Sequence, residues 1–379
     1  MIRILQLSKR YSGDYPLFNE MSRLDDTRFE NVVCYLSGHN DGSNALEKTS
    51  KTYYLERNSS HLRWYNFPLI RKIAEIIDRD AIQVVNCQLH RTTPIGVCAS
   101  LLARQKPLVL STIHGIGSST GWGRQLQYRL MNPYLYRTVA ISHAVADDIH
   151  TANPWLAPGK VITVQNGLNF ERFLVDDDRM TLRRKLFPEV KANYWFGTAG
   201  RLSAVKDHAT LLHAFREVVD QTPDVVLMIA GRGELETSLK HLVETLGLQS
   251  HVKFLGFRSD IPQVLHTLDF FVFPSLREGL PLALLEAMAA KLPVIASRVG
   301  GIPEVFGEDP MGQLISPHNV EELSAAMYNM ATTPPSHLRK LGENARRRAL
   351  GQFDARRMVR EYEELYTECG DVWAKRDAR

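Results

Sequence analysis

The sequence predicts an α/β protein made of two Rossmann-like domains. Short apolar runs typical of buried strands alternate along the chain with segments of helical periodicity, as in parallel sheets with crossover helices. At 379 residues, of which 44% are hydrophobic, the chain is long enough to bury two separate cores. A charged stretch without a strand divides the two series. We therefore expect a domain at 1–168, a linker at 169–192, a second domain at 193–352 and a closing helix at 353–379.

Apolar runs place the strands of the first domain. They predict strands at Ile2–Leu7, Phe29–Tyr35, Ala81–Cys87, Leu108–Thr112, Thr138–Ser142 and Val161–Val164. Residues 37–51 are polar and rich in Gly, Asn and Ser, so we expect a loop there. An amphipathic helix is predicted at Pro68–Arg79, and Ser142 is the predicted N-cap of a later helix.

The second domain shows the same alternation. Its predicted strands are Trp195–Ala199, Val225–Ala230, Val252–Phe257, Leu268–Phe273, Pro293–Ala296 and Gly312–Pro317. Between the fourth and fifth of these, apolar residues recur at helical spacing, and Pro281 falls where a first helical turn accepts proline. A strand, helix and strand in succession imply parallel pairing through a right-handed crossover. Two closing helices with a break near Gly351 follow.

Two carboxylates mark that crossover. Glu278 precedes the helix, and Glu286 follows eight residues later on the helix itself. A wholly helical span of that length covers about 12 Å, comparable to a nucleotide diphospho-sugar from hexose to ribose. Gly279 stands near a helix N-terminus, whose free N–H groups suit a phosphate. The spacing is equally compatible with Glu278 as a partner of the helix dipole and Glu286 as a solvated residue.

The stretch SLREGLPLALLEAMAAKLPVIASRVGGIPE, residues 275–304, resembles the signature of family 4 glycosyltransferases, which are retaining enzymes of the GT-B fold. The usual form is E-G-x-P-x-x-x-x-E-A-M-A-x-G-x-P-V-I-A followed by G-G-x-x-E. This chain has Lys291 where the family usually has Gly, at a position that would end the helix in a left-handed conformation. The resemblance implies two Rossmann-like domains facing across a deep cleft, with the last helix crossing back to the first domain.

The resemblance also implies a donor site in the second domain. The segment from Gly200 to Asp207 resembles the family's phosphate-binding motif, with Asp207 where Gly is commoner. A fixed arginine and lysine would stabilise the departing diphosphate without a metal, although solvated cations at a helix start would look the same. By resemblance Glu286 would hold the ribose, and the remaining donor contacts would come from Arg201 and Lys206 at the diphosphate and from Glu278, Gly279 and Leu280 at the transferred sugar and phosphate.

Two glycine-containing loops complete the implied donor site. Gly231 and Arg232 follow a buried strand and resemble the family's loop beside the nucleotide. Alone this glycine motif is weak, and it is not a dinucleotide fingerprint. The family places the nucleotide base after a strand of the type found at Val252–Phe257, which here points to Phe257 and Arg258.

The first domain contributes fewer candidate residues. His114 lies at the carboxyl end of a predicted strand, where open α/β sheets bind ligands, and the family has a histidine there that faces the reacting sugar. We therefore expect His114 and Glu278 to be the catalytic residues, although a lone histidine is often structural. The loop after the first strand holds Ser12 and Gly13, which we interpret as a cleft loop or an ordinary strand-to-helix turn.

Composition excludes several classes of protein. The net charge of +4 with 23% charged residues is too mild for a nucleic-acid binder, while a pI near 8.8 permits contact with anionic membranes. The four cysteines have no pairing or metal-binding spacing, which favours a reducing cytosol. No apolar run approaches the ~20 residues of a membrane span. Asp176–Asp178 matches a D-x-D metal motif, but no strand leads into it, so we predict no metal.

We therefore predict a retaining glycosyltransferase that moves a hexose from a nucleotide diphospho-sugar, UDP-linked rather than GDP-linked, to a saccharide or lipid-linked saccharide. The predicted setting is bacterial lipopolysaccharide core or exopolysaccharide synthesis, in the cytoplasm and compatible with peripheral contact at the cytosolic face of the inner membrane. The resemblance implies neither a cofactor nor a nucleic-acid partner. Two alternatives remain, namely a sugar-nucleotide 2-epimerase of similar fold and an inactive homologue that binds nucleotide-sugar.

Overall fold

The structure is a computed structural model that describes residues 1–11, 19–42, 44–57, 65–118, 120–175 and 177–377. The chain divides into two compact units. The first unit comprises Met1–Leu168 together with Ala355–Arg379, and the second unit is the continuous segment Asn169–Asp354. Residues 169–192, predicted as a linker, are therefore grouped with the second unit.

The first unit is built on a parallel sheet of seven described strands. Their bounds are β1 Ile2–Arg10, β2 Phe29–Ser37, β3 Lys51–Tyr54, β4 Val84–Gln88, β5 Leu108–Ile113, β6 Leu135–Ala140 and β7 Val161–Thr163. The order across the sheet is β3-β2-β1-β4-β5-β6-β7, and every pair is parallel. From β1 the chain runs outward to β3, and it then crosses to the other side of β1 to form β4. The topological switch point of this sheet therefore lies between β1 and β4.

Helices lie between these strands, and one more follows the second unit in the chain. Those whose bounds the structure describes in full are α1 Phe67–Arg79, α2 Thr93–Leu102, α3 Trp122–Met131, α4 His143–Ala152 and α13 Ala355–Asp377. Ser142 caps α4 as predicted, because its side chain accepts a hydrogen bond from the N–H of Val145. Helix α13 packs on β1 and β4, and its Tyr366 is fully buried.

The second unit repeats the arrangement with six described strands. These are β8 Tyr194–Ala199, β9 Val225–Ala230, β10 Val252–Gly256, β11 Phe270–Phe273, β12 Val294–Ser297 and β13 Gly312–Ile315. Their order is β10-β9-β8-β11-β12-β13, again all parallel. The helices are α5 Arg179–Leu186, α6 His208–Gln221, α7 Glu236–Thr245, α8 Ile261–His266, α9 Leu282–Ala289, α10 Ile302–Phe306, α11 Val320–Thr332 and α12 Pro335–Gln352.

The segment predicted as a linker is tied to the second sheet. Helix α5 lies within it, and the guanidinium groups of Arg179 and Arg183 each lie 2.7 Å from a carboxylate oxygen of Asp269. The Asp269 carboxylate also accepts a hydrogen bond of 2.8 Å from the N–H of Trp195, the second residue of β8. These bonds fix the segment against the amino-terminal ends of β8 and β11.

Two departures from the family's glycine pattern adopt the backbone that glycine favours. Lys291, just beyond α9, has φ +61°, and Asp207, just before α6, has φ +47°. The predicted left-handed end of α9 at Lys291 is confirmed. Asp207 offsets its backbone strain with its side chain, which accepts hydrogen bonds of 2.8 Å from Thr210 and 2.8 Å from His318.

Candidate functional site

The second sheet has a topological switch point between β8 and β11. Strand β8 pairs with β9 on one side and with β11 on the other, so the loops that leave β8 and β11 diverge at the carboxyl edge. Open parallel sheets bind ligands at this place. The two loops carry Lys206 and Glu278, which the sequence proposed for the phosphate and the sugar.

Lys206 and Glu278 meet at this edge although 72 positions separate them in the chain. The Lys206 ammonium lies 2.5 Å from a carboxylate oxygen of Glu278, and the two side chains are only 22% and 13% exposed. The same ammonium lies 4.4 Å from the ring centroid of Phe273, the last residue of β11. A partly buried cation is thus held between a carboxylate and an aromatic face.

Close backbone packing explains the glycine after β9. A Cβ atom on Gly231 would lie 1.8 Å from the carbonyl oxygen of Gly200, and Gly231 has φ +137°. Only glycine therefore allows the loops after β8 and β9 to touch. The neighbouring Arg232 is exposed. Gly231 thus has a packing role in the structure, which is independent of any contact with a nucleotide.

Two of the predicted donor-binding arginines are engaged by other side chains. Arg201 is 73% exposed and lies 3.0 Å from Glu234 in the loop after β9. Arg258 donates two hydrogen bonds, of 2.7 and 2.5 Å, to Asp260, and these bonds hold the Asp260 pKa below its usual value. A diphosphate that binds Arg201 at Nε would compete with Glu234 for it.

The loop after β10 presents an aromatic side chain to solvent. Phe257 follows the last residue of this strand and is 73% exposed. An exposed aromatic ring can stack on a flat partner, and covering it would bury apolar surface. The position therefore agrees with the predicted contact to a nucleobase, which stays a prediction.

The helix that follows Glu278 begins later than the sequence indicated. Helix α9 starts at Leu282, and Pro281 is its N-cap rather than part of its first turn. The span from Glu278 to Glu286 is therefore only partly helical. Because proline offers no side-chain acceptor, no side chain caps the first N–H groups of α9. An N-terminus of this kind favours an anion, which agrees with the phosphate contact predicted near Gly279 and Leu280.

Glu286 is a half-buried carboxyl on α9. Burial raises its pKa from 4.5 to about 7, and the charge of Arg172 opposes this increase. Arg172 lies in a short 3-10 helix at Glu171–Phe173. A carboxyl that is part protonated near neutral pH can exchange its proton for hydrogen bonds from a ligand.

His114 in the first unit ends a chain of buried amides. Its Nε2 lies 2.7 Å from Oε1 of Gln88 at the end of β4, and the Gln88 amide donates 3.1 Å to Gln6 on β1. Gln6 and Asn86 both donate to the Tyr366 hydroxyl, at 2.8 and 3.0 Å. Burial lowers the His114 pKa to about 4, so the ring is neutral at physiological pH.

Some predicted features lie elsewhere or outside the described residues. Ser12, Gly13 and Asp176 fall outside the part of the chain that the structure describes. Asp178 caps α5 by accepting a hydrogen bond of 3.0 Å from the N–H of Thr181. Within the described ranges, no cluster of three or more His, Cys, Asp and Glu residues is arranged to hold a metal. Nor does any helix described there combine the length and the apolar composition needed to cross a bilayer.

Sequence reasoning missed three residues that shape these sites. Phe273 lies beneath Lys206, Gln88 hydrogen-bonds His114, and the charge of Arg172 opposes the rise in the Glu286 pKa. Phe273 and Gln88 each end a strand, so attention to the last residue of every strand could have found them. Arg172 carries no comparable signal, because its partner is more than a hundred residues away in the sequence.

Sequence comparison identifies two matching families. Residues 21–172 match the family described as Glycosyltransferase Family 4, and residues 180–348 match the family described as Glycosyl transferases group 1.

Individual relatives match over most of their length. The chain is 30% identical over 323 residues to the putative glycosyltransferase EpsD of Bacillus subtilis (strain 168), covering 82% of this chain and 83% of the relative. It is 25% identical over 361 residues to the UDP-Gal:alpha-D-GlcNAc-diphosphoundecaprenol alpha-1,3-galactosyltransferase of Escherichia coli, covering 92% of each. The crystal structure of Anabaena Alr3699/HepE in complex with UDP-glucose has a TM-score of 0.82 at 21% identity, covering 97% and 100% of the two chains, and it shows the shared GT-B fold.

Proposed function

This chain belongs to the glycosyltransferase family 4, and we propose that it transfers a hexose from a UDP-sugar to a lipid-linked saccharide with retention of configuration. The observation that carries the proposal is the Lys206–Glu278 pair at the switch point of the second sheet. The E. coli relative is named for a UDP-sugar donor and a diphosphoundecaprenol-linked acceptor. Assembly of a bacterial surface glycan in the cytoplasm, such as lipopolysaccharide core or exopolysaccharide, is the setting we propose.

In our proposal the ion pair is exchanged when the donor binds. The diphosphate replaces the Glu278 carboxylate as the partner of Lys206, because it carries more negative charge and can accept several hydrogen bonds. Glu278 is then released to accept hydrogen bonds from hydroxyls of the transferred sugar. The uncapped N-terminus of α9 adds N–H donors for the phosphates.

Other residues of the second unit would bind the remaining parts of the donor. Glu286 accepts hydrogen bonds from the ribose hydroxyls, and Phe257 stacks on the base. Arg201 joins the diphosphate once it leaves Glu234, while Gly231 allows the loops to approach closely. The neutral ring of His114 donates from Nε2 to Gln88, so its Nδ1 accepts a hydrogen bond from a hydroxyl of the sugar. We propose that neither a metal nor a cofactor is needed, because Lys206 and Arg201 neutralise the leaving group.

The proposed reaction is a same-face displacement. The bond from the anomeric carbon to the β-phosphate oxygen breaks as the bond from that carbon to the acceptor oxygen forms. The acceptor hydroxyl proton passes to the departing phosphate oxygen. UDP and a glycoside of unchanged anomeric configuration are the products, and no enzyme nucleophile is consumed.

The test is transfer from UDP-linked and GDP-linked hexoses to a lipid-linked saccharide in the presence of EDTA. We expect transfer from a UDP-sugar. The anomeric NMR coupling constant of the product should show the same anomeric configuration as in the donor. Lys206→Ala should lower kcat/KM at least 100-fold. Lys240→Ala is the matched control, because Lys240 is an exposed cation of the same unit, paired with Glu236. Equal activity of the two variants, an inverted product or loss of activity in EDTA would each contradict the proposal.

A surface on α3 suits peripheral membrane contact. Trp122, Leu126 and Leu130 are 82%, 48% and 58% exposed and recur every fourth residue, so they share one face of the helix. Arg129, which is also exposed, lies on the same helix. Exposed apolar side chains beside a cation favour an anionic bilayer surface.

Vesicle sedimentation tests this contact. We expect binding to vesicles with anionic phospholipid and weaker binding to neutral ones. Trp122→Ser with Leu126→Ser should reduce the bound fraction several-fold, whereas Leu174→Ser, an exposed apolar residue of the second unit, should not. Equal binding of all variants would exclude α3 as the contact surface.

A further inference from the structure

Four basic side chains collect at the carboxyl edge of the first sheet. We call Lys9, His90, Arg91 and Arg124 the basic cluster. Lys9 lies near the end of β1, His90 and Arg91 follow β4, and Arg124 lies on α3 beyond β5. Because β1, β4 and β5 are neighbours in the sheet, three segments far apart in sequence bring these basic side chains to one edge.

The members of the basic cluster lie within reach of one another's fields. Burial lowers the His90 pKa, and the charges of Arg124, Arg91 and Lys9 each lower it further. His90 and Arg124 also line one small cavity together with the hydroxyl side chains of Thr93, Ser111 and Ser118. Two members of the cluster therefore border a small concavity, whose walls also carry the apolar side chains of Pro94, Ile113 and Met131.

No carboxylate of the described residues forms an ion pair with any member of the basic cluster. Arg124 instead donates 3.0 Å to the carbonyl oxygen of Gly117. Neighbouring positive charges repel one another. Elsewhere in this unit, the exposed cation Arg71 has a carboxylate partner. An anionic ligand would supply the negative charge that the described residues do not place beside the basic cluster.

The start of α2 adds hydrogen-bond donors to the same patch. The hydroxyl of Thr92, its N-cap residue, donates backwards to the carbonyl oxygens of Gln88 and Leu89, at 2.7 and 2.9 Å. It therefore does not cap the helix, and no side chain does. The N–H groups of Thr93 and Ile95 and the positive end of the α2 dipole face the edge where the basic cluster lies, while Pro94 between them has no N–H.

The basic cluster lies at the switch point of the first sheet. The first sheet has its switch point between β1 and β4, the counterpart of the β8 and β11 edge that carries Lys206 and Glu278. Parallel sheets bind ligands at this point, and in the proposed function the donor occupies the second unit. The first unit is then left for the acceptor.

We propose that the basic cluster binds a phosphate or diphosphate group of the acceptor, so that the enzyme selects phosphorylated saccharides over neutral ones. The assignment to the acceptor rests on the proposed function. Several cations match the multiple charges of a diphosphate better than those of a single carboxylate, and arginine binds phosphate oxygens in a bidentate manner. This group would hold the acceptor by its reducing end and leave its sugar hydroxyl free to react.

A binding experiment tests the site itself. Inorganic pyrophosphate is titrated by calorimetry into the full chain saturated with UDP. We expect one site, with affinity weakened about tenfold or more in Arg91→Ala and in Arg124→Ala. Arg71→Ala, which removes an exposed cation paired with Glu75, should change it less than twofold. No pyrophosphate binding, or equal binding by all variants, would overturn the proposal.

A kinetic experiment tests the assignment to the acceptor. A diphosphate-linked saccharide, its soluble diphosphate without lipid and a neutral glycoside of the same sugar are compared as acceptors. We expect Arg91→Ala to raise KM for both diphosphates at least tenfold. The KM for the neutral glycoside, which has no phosphate to bind, should stay the same. Equal effects on all three, or an effect on the lipid form alone, would overturn it. If UDP affinity survives Lys206→Ala while pyrophosphate still binds at Arg91, the proposed donor site is wrong and the anion site stands.

Discussion

Glu286→Gln should make the unliganded protein more stable at alkaline pH. Burial on α9 raises the Glu286 pKa from 4.5 to about 7. The folded protein therefore keeps a proton on this carboxyl that the unfolded chain releases above its ordinary pKa. Stability falls with rising pH wherever the native state binds more protons than the unfolded state.

The size of the effect follows from that shift. One pKa unit corresponds to about 1.4 kcal/mol, so the free energy of unfolding should decrease by at most about 3 kcal/mol between pH 4.5 and pH 7 and change no further from this group above it. Glutamine resembles the protonated carboxyl in shape and cannot ionise. Glu286→Gln should therefore match the wild type near pH 5 and exceed it at pH 8.

Thermal unfolding at pH 5 and pH 8 without nucleotide measures this difference. For a unit of this size, about 3 kcal/mol corresponds to a Tm increase of about 6–12 °C at pH 8. Glu244→Gln is the matched control, because the Glu244 side chain is 66% exposed and should show no such gain. Parallel pH profiles for wild type and Glu286→Gln would refute the reasoning. The same variant should bind UDP more weakly, since an amide is a poorer acceptor for ribose hydroxyls.

Three further predictions concern stability. Lys206→Met leaves the 13% exposed Glu278 side chain without its cation and should cost about 3 kcal/mol in urea unfolding. Adding Glu278→Gln should restore most of that loss, and strict additivity would exclude the pair as a buried contact. Tyr366→Phe leaves two buried amide donors unpaired and should cost about 2 kcal/mol, against no change for the exposed Tyr134→Phe. Lys291→Gly relieves a left-handed residue and should raise stability by about 1 kcal/mol; a lower Tm would show that the lysine is not strained.

The sequence was most informative where burial is complete. Val225–Ala230 is buried at every position and was predicted to the residue, because a parallel strand covered on both faces is a continuous apolar run. The edge strand β3, at Lys51–Tyr54, was missed for the opposite reason. It is short and only partly buried. The polar residues that precede it led to the prediction of a loop at 37–51, which includes its first residue.

The candidate site was predictable as a set of residue types but not as a set of contacts. The family motif pointed to Lys206, Glu278 and Arg201, yet nothing local indicates that Lys206 pairs with Glu278 while Arg201 turns to Glu234. That partition depends on the strand order β9-β8-β11, which brings loops of distant sequence together. The burial of Glu286 was likewise undecided by spacing, because helical periodicity does not show what packs against the helix.

The discontinuous first unit has a consequence for how the protein is synthesised. Its buried amides on β1 and β4 find their hydroxyl partner on Tyr366, which leaves the ribosome only after the second unit has been translated. The second unit, Asn169–Asp354, is continuous and can complete its core while the first still lacks its last helix. A fragment ending at residue 168 would expose those amides and aggregate readily, whereas a fragment spanning 169–354 should be expressible alone. The first unit thus matures only after a helix that is translated later than the whole second unit.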